Sequence, residues 1–351
     1  MAAPATALTL PRSPLLLSRR AAARPAAAVV VRAQPDTAAS TSAPEPASEF
    51  KAPPGFKAPE PQRFGVKPGQ QGSVFGASLG IPFRLGTGVF VLGYSPTFVS
   101  PAEVPSDQYA LELGDWKVKE SSKIDQCPRP EKPIEIYEFE GYVRPFLYCP
   151  FCRKVREMVS VLDLDVLYYP CPQNGPTFRP KVLEMGGKKQ FPYMVDPNTG
   201  VAMYESDEII KYLADKYGDG TVPIMLSLGL LTTITAGLST IGRLGKGSSY
   251  IASKVPPQPI EIWAYEGSPF CKLVRETLVE LELPHLLHRN ELSVTFIAAE
   301  CSAVRVAAPG DRNFSRKTVP YIEDPNTGVK MFESAEIIEY LKTTYSLYSS
   351  S

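Results

Sequence analysis

Cys149-Pro-Phe-Cys152-Arg-Lys-Val-Arg-Glu157 returns later in the chain as Ser268-Pro-Phe-Cys271-Lys-Leu-Val-Arg-Glu276. This pair of segments decides the fold, because the blocks around it return in the same order. Pro133-Ile-Glu-Ile-Tyr137 recurs as Pro259-Ile-Glu-Ile-Trp263. Phe191-Pro-Tyr-Met-Val-Asp-Pro-Asn-Thr-Gly200 recurs as Val319-Pro-Tyr-Ile-Glu-Asp-Pro-Asn-Thr-Gly328, and Glu205-Ser206 before an Ile-Ile helix pattern recurs as Glu333-Ser334. Self-similarity at this level outranks any single motif.

Each block has a structural reading. Ile134 and Ile136 flank Glu135 with the period of a half-buried strand, while Val155, Met158, Val159 and Leu162 fall at helical spacing. Val274, Thr277, Leu278 and Leu281 repeat that spacing. Tyr193-Met-Val and Tyr321-Ile end at Asp-Pro-Asn-Thr-Gly, a turn in which Asp and Asn bond locally and Gly accepts positive φ. Val201 to Tyr204 reads as the return strand, and Ile209, Ile210 and Leu213 as one face of a closing helix. The expectation is an α/β chain with two tandem units, 131–218 and 258–347.

Length and composition set the bounds. The 351 residues accommodate two domains plus leader and linkers. A formal net charge of zero and the lack of a basic stripe argue against nucleic acid as a partner. Six cysteines, at 127, 149, 152, 171, 271 and 301, are too few and too irregular for a disulfide scaffold. A single C-x-x-C with no nearby histidine is a poor zinc site, so no metal is expected. Residues 1–34 carry five arginines and no acidic residue, a composition suited to an organellar transit peptide. With Val31-Arg-Ala33 as a processing-like site, the expectation is a chloroplast protein, stromal or membrane-associated, with the mitochondrion as the other reading. Residues 35–72 read as a disordered Pro/Ala-rich spacer.

Residues 73–130 are apolar and irregular, and the glycine-rich stretch from Ser73 to Tyr94 has no assignable pattern. Between the repeats, 219–257 is expected to be an apolar linker helix. Residues 221–242 hold no charged side chain and allow two readings. One is a helix packed on the repeats. The other is membrane contact, with Arg243, Lys246 and Lys254 as a basic flank.

The chemistry lies at Cys149. At the start of a helix, orphan N–H groups and the positive dipole end stabilise an anion, which lowers a thiol pKa and makes the thiolate nucleophilic. Cys152, one turn on, is placed to resolve a mixed disulfide, with Arg153 close behind. C-x-x-C beside a βαβ pattern is a redox signature.

Cys-Pro-Phe-Cys at a strand-to-helix turn, then Phe-Pro or Val-Pro before a hairpin, then Glu-Ser opening a helix, resembles glutaredoxins and the N-terminal domain of glutathione transferases, of a plant plastid type. The resemblance covers both repeats and none of residues 1–130. It implies two thioredoxin-like domains with glutathione as cosubstrate. In such proteins the proline of the second block is cis, its preceding residue bonds the cysteinyl part of glutathione, and Glu-Ser binds the γ-glutamyl end. Carried over, the first-repeat set is Phe191, Pro192, Glu205 and Ser206, with Arg153 nearby; the second is Ser268, Val319, Pro320, Glu333 and Ser334. A serine at a likely helix N-cap suits a carboxylate, and the glutamate suits an ammonium.

The second repeat lacks the first cysteine. Its Ser268 resembles the serine of some plant glutathione transferases, or it is the remnant of a dithiol. Residues 289–316 have no clear counterpart in the first repeat, which marks either an insertion or an error in the gene model. Tyr142 to Tyr148 are an insertion before Cys149. The expected activity is glutathione-dependent thiol–disulfide exchange through Cys149 on protein thiols or mixed disulfides. The alternatives are a non-catalytic glutathione- or protein-binding module at a plastid membrane, and a transferase or isomerase resembling the membrane-associated prostaglandin E synthases.

Overall fold

The computed structural model describes residues 50–59, 66–103, 111–140, 150–288 and 319–348. The first repeat contributes β4 (Ile134–Glu138), α3 (Pro150–Val161), β5 (Val166–Pro170), α4 (Phe178–Gly186), β6 (Tyr193–Asp196), β7 (Val201–Met203) and α5 (Ser206–Tyr217). The second contributes β8 (Ile260–Trp263), α8 (Pro269–Glu280), β9 (His285–His288), β10 (Tyr321–Asp324), β11 (Val329–Phe332) and α9 (Ser334–Tyr345). Within each repeat two strands run parallel and a hairpin adds antiparallel to the first of them. This is the thioredoxin-like arrangement expected from the repeat.

The repeats do not stand apart. Strands β5 and β9 pair antiparallel, with Leu167 opposite Leu286, so one eight-stranded sheet runs β11-β10-β8-β9-β5-β4-β6-β7. The order reads the same from either end once equivalent strands are exchanged, and the pseudo-twofold passes between Leu167 and Leu286. The reason is edge chemistry. Each repeat alone would leave β5 or β9 as an unpaired edge, and pairing them satisfies both rows of N–H and C=O groups.

The alternation seen in the sequence becomes two cores. Ile134, Ile136, Val155, Met158, Leu162, Met194 and Ile209 pack in the first; Ile260, Ile262, Val274, Leu278, Ile322 and Ile337 form the second. Phe50, Ala52 and Phe56 pack against the second core, with Phe50 and Phe56 on Tyr345 and Tyr340. This corrects the reading of 35–72 as a disordered spacer throughout: three apolar side chains in 50–59 are enough to seat that stretch.

The repeat is also longer than its sequence blocks. The stretch left without a pattern forms α1 (Gln71–Ser78) and α2 (Gly80–Arg84). The expected single linker helix is instead broken into α6 (Ile224–Ser227), α7 (Leu230–Leu238) and a 3-10 turn, Ile241–Arg243. Pro223 and the positive φ of Gly229 break it. These two regions are twofold equivalents. Arg84 bonds Glu157 of α3 and the Thr232 carbonyl; Arg243 bonds Glu276 of α8 and the Ser73 carbonyl. Arg84-Leu-Gly-Thr-Gly88 and Arg243-Leu-Gly-Lys-Gly247 are the sequence trace of this match. Gly76 and Gly242 meet where the two segments cross, with no room for a Cβ on either. A three-stranded sheet, β1 (Ser95–Val99), β2 (Leu111–Leu113) and β3 (Trp116–Ser121), separates α2 from the domain in the first repeat only.

At the junction lies a buried set of ion pairs. Arg156 holds Glu138, Glu140 and Glu266, the last two at 3.1 Å, while Arg275 holds Glu140 at 2.7 Å and Glu266 at 3.0 Å. Each arginine thus bridges its own repeat to the other. Burial pushes the Glu138 carboxyl up to about 7 against the pull of Arg156. Burial opposes ionisation of Glu140 as well, but two arginines outweigh it and hold that carboxyl well below the usual range.

Candidate functional site

Helix α3 opens at Pro150, the residue after Cys149, and its missing N–H is no loss in a first turn. Cys149 itself lies outside the described residues, as do Tyr142, Phe146 and Tyr148. Cys152 is buried at 1% exposure among Phe139, Val279 and the edge of Phe191. Its burial one turn into the helix follows from the apolar face that α3 turns toward the sheet.

The structure moves one expected residue. Arg153 was assigned to glutathione, but it is 3% exposed and ion-paired with Glu157 at 2.8 Å and Glu266 at 3.4 Å. Its guanidinium is committed to the junction between the repeats. Helical geometry explains this: Arg153 and Glu157 are four apart on the side of α3 that faces α2 and the second repeat.

The Phe191-Pro192 peptide bond is cis, and so is Val319-Pro320. Glu205 has φ 68° and Glu333 φ 71°, and in each case the following serine opens the last helix. The expectation placed Ser206 and Ser334 at the N-cap. They are instead the first helical residues, buried at 4% and 7%, and the glutamate stands at the cap position. A positive φ on a non-glycine residue costs free energy and tends to persist where a ligand turn requires it. Here it recurs at equivalent positions in both repeats.

The turn and the proline loop touch in the first repeat. Gln190 Nε2 donates to Glu205 Oε1 at 2.6 Å, which ties the residue before Phe191 to the exposed Glu205 carboxylate. Arg179 of α4 lies over the rings of Phe191 and Phe139, 4.9 and 5.3 Å from their centroids, and donates to the Cys171 carbonyl. Sequence reasoning missed both residues. Gln190 had a signal, since it adjoins the Phe-Pro block; Arg179 had none, because α4 is not part of any recurring block. Lys154 and Asp207 join α3 to the start of α5 by an ion pair. Leu273 and Ala335 hold the equivalent places in the second repeat.

Both turns rest on the same buried support. Tyr212 and Tyr217 donate to Asp196 Oδ2 at 2.6 Å, and Tyr340 and Tyr345 donate to Asp324 Oδ2. Burial opposes ionisation of Asp196, but hydrogen bonds from Tyr212, Tyr217 and Asn198 outweigh it and hold its carboxyl below the usual range. These bonds pin α5 and α9 to the Asp-Pro-Asn-Thr-Gly turns, and so orient the helix ends that begin at Ser206 and Ser334.

The motif turn of the second repeat is closed. Ser268 is 4% exposed, and its hydroxyl accepts from the Cys271 N–H at 3.3 Å, which makes it the N-cap of α8. Val89, which follows α2, sits directly against Gly267 and leaves no room for a Cβ there. Burial raises the Cys271 thiol pKa, with the Ser268 hydroxyl working in the opposite direction. Ser268 is thus covered, with its hydroxyl oxygen engaged by the start of its own helix.

Two segments, 145–221 and 263–349, match the family model described as glutathione S-transferase, N-terminal domain. The two segments are thus similar, in tandem, to the glutathione S-transferase N-terminal domain. The first matched segment begins after β4 and the second at the end of β8, so each covers the later elements of its half of the sheet. No curated protein and no solved structure matches the chain. Among the described residues there is no group of three or more His, Cys, Asp or Glu side chains that could hold a metal ion. Domains of this kind bind glutathione in general. The first repeat here brings together an exposed carboxylate at Glu205, a helix start at Ser206 and an amide at Gln190.

Proposed function

We propose that the first domain is a glutaredoxin-like, glutathione-dependent thiol–disulfide oxidoreductase with Cys149 as nucleophile. The observation that carries the reading is the Gln190–Glu205 contact beside Ser206. It joins the proline loop and the helix start on the same domain whose motif helix opens right after Cys149. Glu205 receives the ammonium of the γ-glutamyl end, and the α5 N-terminus at Ser206 receives its carboxylate. The backbone of Phe191 meets the cysteinyl part.

In the exchange, the Cys149 thiolate attacks the glutathione sulfur of a protein–glutathione mixed disulfide. That S–S bond breaks, and the protein thiolate leaves and takes a proton. Cys149 is then bonded to glutathione. A second glutathione thiolate releases it as glutathione disulfide, which restores the Cys149 thiolate. With a protein disulfide as substrate, Cys152 attacks the sulfur of Cys149, releasing the second substrate thiol. The resulting Cys149–Cys152 disulfide is reduced by two glutathione molecules.

The test is deglutathionylation of a peptide mixed disulfide by the full chain. Cys149→Ser is expected to fall to the uncatalysed rate, while Cys152→Ser keeps turnover on the mixed disulfide and loses it on protein disulfides. Undiminished turnover in Cys149→Ser would sink the proposal. The transit peptide at 1–34 and a chloroplast location belong to this reading and are tested by import of a fluorescent fusion into isolated chloroplasts.

A further inference from the structure

The face made by α1, α2, α6 and α7 has no role in the exchange described above. It forms a layer over the motif helices: α1 packs on α8, and α7 packs on α3. The inward side holds small or polar residues such as Gly76, Ala77, Thr232 and Ala236, all buried. The outward side is apolar. Phe75, Leu85, Ile224, Leu230, Leu231 and Leu244 are each more than half exposed, Leu244 at 89%.

Two of these residues are in an unusual conformation. Leu85 has φ 49° and Leu244 φ 47°, the left-handed region, at the ends of twofold-equivalent helical segments. Glycine or asparagine would occupy that region at lower cost. At 75% and 89% exposure neither leucine recovers the cost by burial within the chain. A strained apolar tip displayed to solvent twice, at matched positions, is informative about what meets it.

The symmetry sets the shape of the surface. A twofold that exchanges antiparallel neighbours in one sheet runs perpendicular to the sheet. The two leucine tips therefore lie on the same side of the molecule. Charge adds the next constraint: residues 66–102 and 220–260 contain no Asp or Glu, and Lys246 is exposed two residues from Leu244. Protruding apolar tips on two stretches without acidic residues, one of them flanked by the exposed Lys246, fit a negatively charged planar surface better than a second copy of this chain. No described helix is long and apolar enough to cross a membrane, so the contact is interfacial.

We propose that this two-segment face docks on an anionic lipid bilayer, inserting Leu85 and Leu244 at the level of the headgroups. The membrane reading of 221–242 is thereby relocated. The contact is a surface shared by two regions distant in sequence, and it does not depend on the activity of Cys149.

The experiment is co-flotation of the full chain with phosphatidylcholine vesicles, with and without phosphatidylglycerol. The chain is expected to float with the phosphatidylglycerol vesicles and to be released by added salt. The double variant Leu85→Asn, Leu244→Asn keeps the backbone, since asparagine tolerates the left-handed region. Its thermal unfolding should match the parent, and its vesicle affinity should fall by roughly a hundredfold, about tenfold for each leucine. No flotation at low salt, or equal flotation by the double variant, overturns the proposal. So does concentration-dependent self-association in sedimentation that the same substitutions abolish without vesicle binding, which would assign the face to a second copy.

Discussion

The two domains share single backbone angles at the start of their last helices and differ at the start of their motif helices. Glu205 and Glu333 differ by only 3° in φ, both prolines are cis, and both aspartates collect two tyrosine hydroxyls. At the start of the motif helix the agreement ends. The first domain has Cys149, whereas the second has Ser268, buried, bonded to its own helix and next to Val89. The two kinds of feature answer to different demands. The aspartate–tyrosine support and the helix starts are held by packing and buried hydrogen bonds, which folding itself requires. A nucleophile needs access, and at Gly267-Ser268 the chain has given access up to the layer that covers it. The second domain supports the first structurally through its β9 edge and Arg275.

That comparison can be broken most forcefully at the junction. Arg156→Met removes the arginine paired with Glu138 and one of those shared by Glu140 and Glu266, and Arg275→Met removes the other arginine that Glu140 and Glu266 share. Each is expected to cost about 3–5 kcal/mol in urea unfolding. A large loss for one with almost none for the other would show that the domains are not stabilised jointly.

The next effect is on pH. His285 is buried against Tyr168, with Nδ1 3.1 Å from the Leu283 carbonyl and with Arg275, Arg156 and Glu140 as its charged surroundings. Burial lowers its pKa to about 4. Because the folded value lies below the unfolded one, the unfolded chain takes up the proton first as pH falls. The His285 contribution to stability is complete above about 6.5 and is lost toward pH 4, by up to roughly 3 kcal/mol, while Glu138, with its carboxyl raised to about 7, contributes with the opposite sign over an overlapping range. His285→Gln should flatten that window in denaturant titrations at stepped pH. An unchanged slope would place the titration elsewhere.

Smaller effects sharpen the contrast between the motif turns. Ser268→Ala removes the N-cap of α8 and is expected to lower stability by about 1 kcal/mol, read as a shift in the urea midpoint. Ser268→Cys restores the dithiol sequence at a buried position. On the Cys149→Ser background it is expected to return no deglutathionylation; recovered turnover would mean that Val89 does not close the turn.

Much of the site was legible in the sequence because its parts recur. Phe191-Pro192, Glu205-Ser206 and their second-repeat equivalents were found by the repeat and placed by the turn residues around them. Gln190 lay one residue outside the block, and Arg179 came from α4, which no repeat marked. Arg153 was misplaced for a plain reason. Proximity to Cys149 in sequence says nothing about which side of the helix meets the other domain. Helices α1 and α2, and their equivalence to the linker segment, were missed because only Arg-Leu-Gly-x-Gly survives between the two regions, and α1 and α7 share a shape more than a sequence.

By itself, the sequence determined that this protein has two α/β units of one type and that only the first keeps both cysteines. Hydrophobic period, turn residues and recurrence are local properties, readable along the chain. The pairing of β5 with β9, the arginine–glutamate junction, the covering of Ser268 by Val89 and the acid-free apolar face were decided by the tertiary structure. Each brings together residues far apart in the chain, and no local pattern records which distant edge, charge or side chain will meet another.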